Sequence, residues 1–126
     1  METKEIYLDY AATSPLLPEA YEKMQPYLLN QFGNPNSPHK KGDEANRALV
    51  FARETMSRLL GVKPKQIIFT SGGAEANNQA ILTAARLGKK VGRTELVCSA
   101  FEHETVLETF AFLEDFGYKV HYVKPN

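Results

Sequence analysis

Phe69-Thr70-Ser71-Gly72-Gly73-Ala74-Glu75-Ala76-Asn77-Asn78 carries an apolar run into two adjacent glycines and out into a helix-forming segment. Its left flank, Gln66-Ile67-Ile68-Phe69-Thr70, predicts a short buried strand. Its right side, Ala74 to Leu87, is helical by content, with Gly88 expected as the C-cap. A strand that delivers glycines to a helix start leaves backbone N–H groups pointing outward, at the positive end of the helix dipole. That is the chemistry of a phosphate site, and the Ser71 hydroxyl offers one further donor. No Gly-Lys-Ser/Thr follows, which excludes a P-loop, and adjacent glycines do not fit the dinucleotide fingerprint. Taken alone, the turn equally fits a plain Gly-rich βα connection, with Glu75 stabilising the first turn of its helix.

Working outward, Leu96-Val97-Cys98-Ser99 predicts a second strand and Val120-His121-Tyr122-Val123 a third. Between them Glu104 to Phe116 predicts a helix, with Val106, Leu107, Phe110 and Leu113 inward and Gly117 closing it. Upstream, Ala45, Ala48, Leu49, Ala52, Met56, Leu59 and Leu60 recur at three- and four-residue intervals, one face of a long helix that Gly61 stops. Gly33-Asn34-Pro35-Asn36-Ser37-Pro38-His39 is too rich in proline and asparagine for a helix and predicts an ordered loop. Pro18 suits the first position of another helix, which Pro26 should disturb before Leu28. Ile6-Tyr7-Leu8 predicts a brief strand or extended arm, followed by a tight turn. Alternating strands and helices at these lengths predict an α/β fold with a parallel sheet flanked by helices.

The chain has 126 residues, enough for one compact core. Its 15 Lys+Arg balance 15 Asp+Glu, which argues against nucleic acid and against membrane-surface attraction. No run approaches a spanning helix, and the charged Met1-Glu2-Thr3-Lys4-Glu5 start is unlike a secretory signal. These features predict a cytoplasmic protein. The single cysteine, Cys98, excludes an internal disulfide and a cysteine-based metal cage, and no metal is expected.

Other residues also bear chemistry. His103, within Glu102-His103-Glu104, follows the second strand at the carboxyl end of the sheet, where ligands of open α/β sheets bind. A neutral imidazole there can stack on a flat ring or exchange protons near neutral pH; a histidine opening a helix with no chemical role is the plainer alternative. Asn34, Asn36, Ser37 and His39 can present donors and acceptors to a small anion, or form ordinary turn chemistry. Lys40 and Lys41, entering an amphipathic helix, are expected to be solvated. Cys98, mid-strand, is expected to be structural, and His121 carries no partner pattern.

Taken together, four blocks resemble one family. They are Tyr7-Leu8-Asp9-Tyr10-Ala11-Ala12-Thr13-Ser14-Pro15, the Asn-Pro loop from Gly33 to His39, Phe69 to Asn78, and Glu102-His103-Glu104-Thr105-Val106-Leu107. In order and interval they are similar to the class V aminotransferase-like, PLP-dependent cysteine desulfurases of the NifS/IscS type. The loop points to that branch over the selenocysteine-lyase-like one. The resemblance spans Ile6 to Val123.

The resemblance implies the N-terminal part of a fold type I PLP-transferase large domain, a three-layer αβα arrangement. Residues 1–15 would be an arm lining the active site, and 16–126 the N-terminal portion of the cofactor-binding domain. Gly72, Gly73 and Ala74 would hold the phosphate of pyridoxal 5'-phosphate. His103 would be catalytic, stacking on the pyridine ring and moving protons. Ala11, Ala12, Asn34 and His39 would line the substrate side. Two departures stand out: the family commonly has Thr where this chain has Ala74, and serine where it has Asn36.

Family members are much longer and supply the Schiff-base lysine, the aspartate pairing the pyridinium nitrogen and the mobile catalytic cysteine from later segments, for which this chain offers no counterpart. The expectation is therefore an N-terminal fragment, inactive alone and without covalently bound cofactor. The longer enzyme would convert L-cysteine to L-alanine and pass sulfur, as a protein persulfide, to an acceptor protein for iron–sulfur cluster or thiolation pathways. Homodimerisation or self-association is expected. Two alternatives remain open: part of another class V aminotransferase or lyase, or a non-catalytic anion-binding or assembly module.

Overall fold

The computed structural model describes residues 6–126. The first five residues of the expected N-terminal arm lie outside the described residues. The chain divides into two compact units, the first ending at Ile67 and the second spanning Ile68–Asn126.

In the first unit, the arm closes in a turn in which the Ala12 and Thr13 N–H groups both donate to the Asp9 carbonyl. No strand forms at Ile6-Tyr7-Leu8. Helix α1, Pro18–Leu29, opens with Pro18 and Glu19 in its first turn. It continues through Pro26, contrary to expectation. Only one turn follows that proline, and Glu22, whose carbonyl loses its donor, sits on exposed surface where water can replace the bond.

Helix α2, Lys40–Leu60, is capped by His39 and ends at Gly61, whose φ of 66° is the left-handed conformation that glycine adopts most readily. Its apolar face is half-buried at Ala45, Ala48, Leu49 and Ala52. Met56, Leu59 and Leu60, expected to face inward, are exposed, while Ser57 beside them is buried.

The expected strand at Gln66-Ile67-Ile68-Phe69-Thr70 is replaced. Pro64–Gln66 forms a single 3₁₀ turn in which the Gln66 side chain accepts the Lys63 N–H at 2.9 Å. Ile67 follows in extended conformation, but Ile67 to Thr70 belongs to neither strand of the sheet, and Ile68 is exposed. Extended backbone becomes a strand only when a neighbouring ladder accepts it.

The second unit contains α3 (Gly73–Lys89), β1 (Glu95–Ser99), α4 (Glu104–Asp115) and β2 (Lys119–Val123). β1 and β2 pair in parallel, Glu95 opposite Lys119 and Cys98 opposite Tyr122, so the sheet has two strands where three were expected. A parallel pair requires a crossover, and α4 supplies it. α3 packs on α4, and the Tyr118 hydroxyl donates to the Ala85 carbonyl at 3.2 Å. Ala85, Cys98 and Leu113 form the buried apolar centre of this unit. Of the inward face expected on α4, Leu113 is buried and Val106, Leu107 and Phe110 are half-buried.

Gly88 is not the C-cap of α3: the helix runs one residue further, to Lys89, with Lys90 as its cap. The close approach of the returning chain explains the glycine, since a Cβ on Gly88 would lie 3.3 Å from the Arg93 carbonyl oxygen. The left-handed glycine of this turn is Gly92.

Candidate functional site

The glycine turn and the residues after β1 meet in the second unit. Gly73, Ala74, Asn77, His103 and Thr105 line an open cavity of about 500 Å³. Three of the residues singled out in the sequence, Gly73, Ala74 and His103, are therefore neighbours in space. Gly72 precedes them as the helix cap in extended conformation and provides no side-chain cap. The N–H groups of Gly73, Ala74 and Glu75 occupy the first turn of α3, where no intrahelical acceptor exists. A Cβ built on Gly72 or Gly73 would meet nothing within 4 Å, so the space before the turn is open. A seventeen-residue helix presenting bare N–H groups to an open cavity suits an anion.

The Ser71 donor expected for that anion is already committed. Both its N–H and its hydroxyl donate to Glu75 Oε2, each at 2.7 Å. These bonds hold the Glu75 carboxyl below the usual carboxylate range, the Ser71 N–H being the larger cause. Glu75 thus pins the approach to the turn, which leaves only backbone N–H groups free to meet an anion there. Thr70 is likewise committed, donating its hydroxyl to the Gly72 carbonyl at 3.1 Å.

His103 is the N-cap of α4. Its Nδ1 accepts the Thr105 N–H at 3.1 Å and lies 3.0 Å from Thr105 Oγ1. Asn77 reaches across from α3 and donates its amide to the same Thr105 Oγ1 at 2.9 Å. Asn77 and Thr105 were not foreseen. Asn77 lies four residues after Gly73, on the same helix face, and that spacing was the available signal.

Ala11, Ala12, Asn34 and His39 belong to the first unit. Ala11 and Ala12 lie in the turn within the arm. Asn34 Oδ1 accepts the Asn36 N–H at 2.9 Å, and the Asn34 carbonyl accepts the Ser37 N–H at 3.0 Å. His39 caps α2 by accepting the Gly42 N–H at Nδ1, at 3.3 Å. The loop is tightly closed: a Cβ on Gly33 would collide with the Lys41 carbonyl, and one on Gly42 with the Ser37 carbonyl. Lys40 is exposed, as expected.

Cys98 is buried, and burial together with the nearby Glu102 raises its thiol above the usual range, the opposite of an activated nucleophile. His121, in the middle of β2, pairs at 2.7 Å on the open surface with Glu95, the first residue of β1. Among the described residues no group of three or more His, Cys, Asp or Glu is placed to hold a metal ion, and no helix is long and apolar enough to cross a membrane.

Fold and site together define an α/β protein in which a glycine turn at a helix start shares a cavity with a histidine. The aminotransferase class-V family model matches residues 6–126, and the chain belongs to that family. It is 46% identical over 120 residues to the cysteine desulfurase IscS of Dictyoglomus turgidum, covering 95% of this chain and 30% of that protein. Among solved structures it superposes on SspA in complex with cysteine with a TM-score of 0.87 at 38% identity, covering 95% of this chain and 34% of that one. A NifS-like protein gives a TM-score of 0.84, also at 38% identity, covering 94% of this chain and 32% of that one. The chain thus spans about 30% of the length of the curated relatives it matches.

Proposed function

We propose that this chain is the N-terminal, phosphate-holding part of a PLP-dependent cysteine desulfurase. The observation that carries the reading is the shared cavity of Gly73, Ala74 and His103, in a chain similar to IscS over nearly its whole length. The residues present fit one end of the cofactor. The N–H groups at the start of α3 would take its phosphate, and the His103 ring would lie against its pyridine. When bound, the cofactor supplies the electron sink for amino-acid chemistry. Within this chain Ala74 brings no hydroxyl to the phosphate, so the backbone bears that contact alone.

The substrate of the complete site would be L-cysteine, consistent with the cysteine in the SspA structure. Its products would be L-alanine and sulfur held as a protein persulfide for an acceptor protein. Ala11, Ala12, Asn34 and His39 would line the substrate side of that site. The covalent lysine, the aspartate and the nucleophilic cysteine would come from sequence other than these 126 residues, since the one cysteine here is buried. The chain alone would therefore be inactive. Val97, Ile68 and Leu59 are among many exposed apolar residues, and such surfaces favour self-association or docking of further polypeptide.

The test is alanine and persulfide formation from L-cysteine with added PLP. The chain by itself should give neither. Mixed with the remaining two-thirds of a class V desulfurase, it should give both. Turnover by the chain alone would overturn the inactivity. Transamination without persulfide in the mixture would favour another class V enzyme.

A further inference from the structure

We propose that Asn77 and Thr105 are positioning residues that fix the ring of His103 and the nitrogen that carries its proton. The chemical significance of this rests on the reading above, but the geometry does not. The Thr105 N–H can only donate, so the Nδ1 it meets at 3.1 Å is an acceptor and the proton of the neutral ring sits on Nε2. Thr105 Oγ1 stands 3.0 Å from the same nitrogen. Asn77 occupies a lone pair of that oxygen from 2.9 Å, which turns the hydroxyl proton toward Nδ1. Two donors from one residue thus hold one edge of the imidazole, and a side chain from another helix aims the second of them.

The fixed point behind this arrangement is firm. The buried Thr109 hydroxyl donates to the Thr105 carbonyl at 2.7 Å. Asn77 follows Gly73 by four residues along α3. The helix that presents N–H groups to an anion therefore also orients the histidine lining the same cavity. Ring rotation would sacrifice both contacts at Nδ1, so the ring face and the Nε2–H hold a set direction relative to the glycine turn.

The test is the tautomer of His103, read from its ring nitrogens by NMR on the uniformly labelled chain without cofactor. The neutral wild-type ring is expected almost wholly as the Nε2–H form. Thr105→Val, which deletes one donor, should raise the Nδ1–H form about fivefold, equivalent to about 1 kcal/mol. Asn77→Ala should move it the same way and less. The double variant should match Thr105→Val, because Asn77 acts through the hydroxyl, and Thr105→Ser should restore the wild-type ratio.

A mixed or Nδ1–H tautomer in the wild type overturns the proposal, even if a variant fails to fold. So does an unchanged ratio in folded Thr105→Val. Because no cofactor is added, failure of the desulfurase reading would leave this result intact. Failure here would leave the anion turn untouched.

Discussion

Glu75 Oε2 takes both the N–H and the hydroxyl of Ser71, each at 2.7 Å, in the same first turn of α3 as the residues that would meet an anion. A carboxylate beside an anion site is unfavourable on charge alone. Its role here is mechanical: it fixes the chain that leads into Gly72 and Gly73. Because its pKa is lowered in the folded state, its contribution to stability is present above the unfolded pKa and is lost as pH falls through the lower, folded value. The Ser71 amide resonance should therefore titrate with a midpoint below the ordinary glutamate range. In Glu75→Gln that titration should vanish, and urea unfolding should depend less on pH in the acid range. A midpoint at the ordinary value would show that the pairing does not persist in solution.

Ala74 provides a gain-of-binding test. Ala74→Thr adds a hydroxyl at the second position of α3, facing the cavity. One charge-assisted hydrogen bond is worth about 1.5–3 kcal/mol, so the affinity for pyridoxal phosphate should rise by roughly tenfold or more. Fluorescence titration of the two proteins measures it. Equal affinities would place the phosphate elsewhere.

Gly42 and Gly73, near the starts of α2 and α3, should respond oppositely to alanine. At Gly42 a Cβ would collide with the Ser37 carbonyl, so Gly42→Ala should cost about 1–3 kcal/mol in urea unfolding. At Gly73 the Cβ meets nothing within 4 Å and the backbone is helical, so Gly73→Ala should be stabilising by about 0.4–1 kcal/mol through the unfolded chain. Equal effects would mean that the Asn-Pro loop is looser than described.

Cys98 should behave as a core atom. Its thiol is buried and its pKa raised. A disulfide reagent at neutral pH should label it slowly in the native chain and readily in urea. Fast native labelling would contradict its burial.

What was legible in the sequence follows the physics of each signal. The helices at Pro18, Gly73 and Glu104 were readable because periodicity, proline and glycine act locally. The strand read at Gln66 to Thr70 does not form, because a strand needs a partner and the described chain offers it none. Met56, Leu59 and Leu60 are exposed on a correctly predicted helix, because periodicity marks an apolar face and not what covers it. In the site, the glycine turn and His103 stood out by residue type. Ser71 was misread as an anion donor because its partner Glu75 lies one turn away on the helix itself. Asn77 and Thr105, 28 residues apart in sequence, become neighbours only when α3 packs on α4.

The central claim is that the start of α3 and His103 together receive the phosphate and ring of pyridoxal phosphate. Titration of the nitrogen-15-labelled chain with pyridoxal phosphate, followed by NMR, tests it most directly. The account predicts saturable shifts concentrated on the amides of Gly72, Gly73 and Ala74 and on the His103 ring, with inorganic phosphate moving the amides and leaving the ring nearly unchanged. Saturation with no response at these four residues, or with shifts confined to scattered lysines, would contradict it.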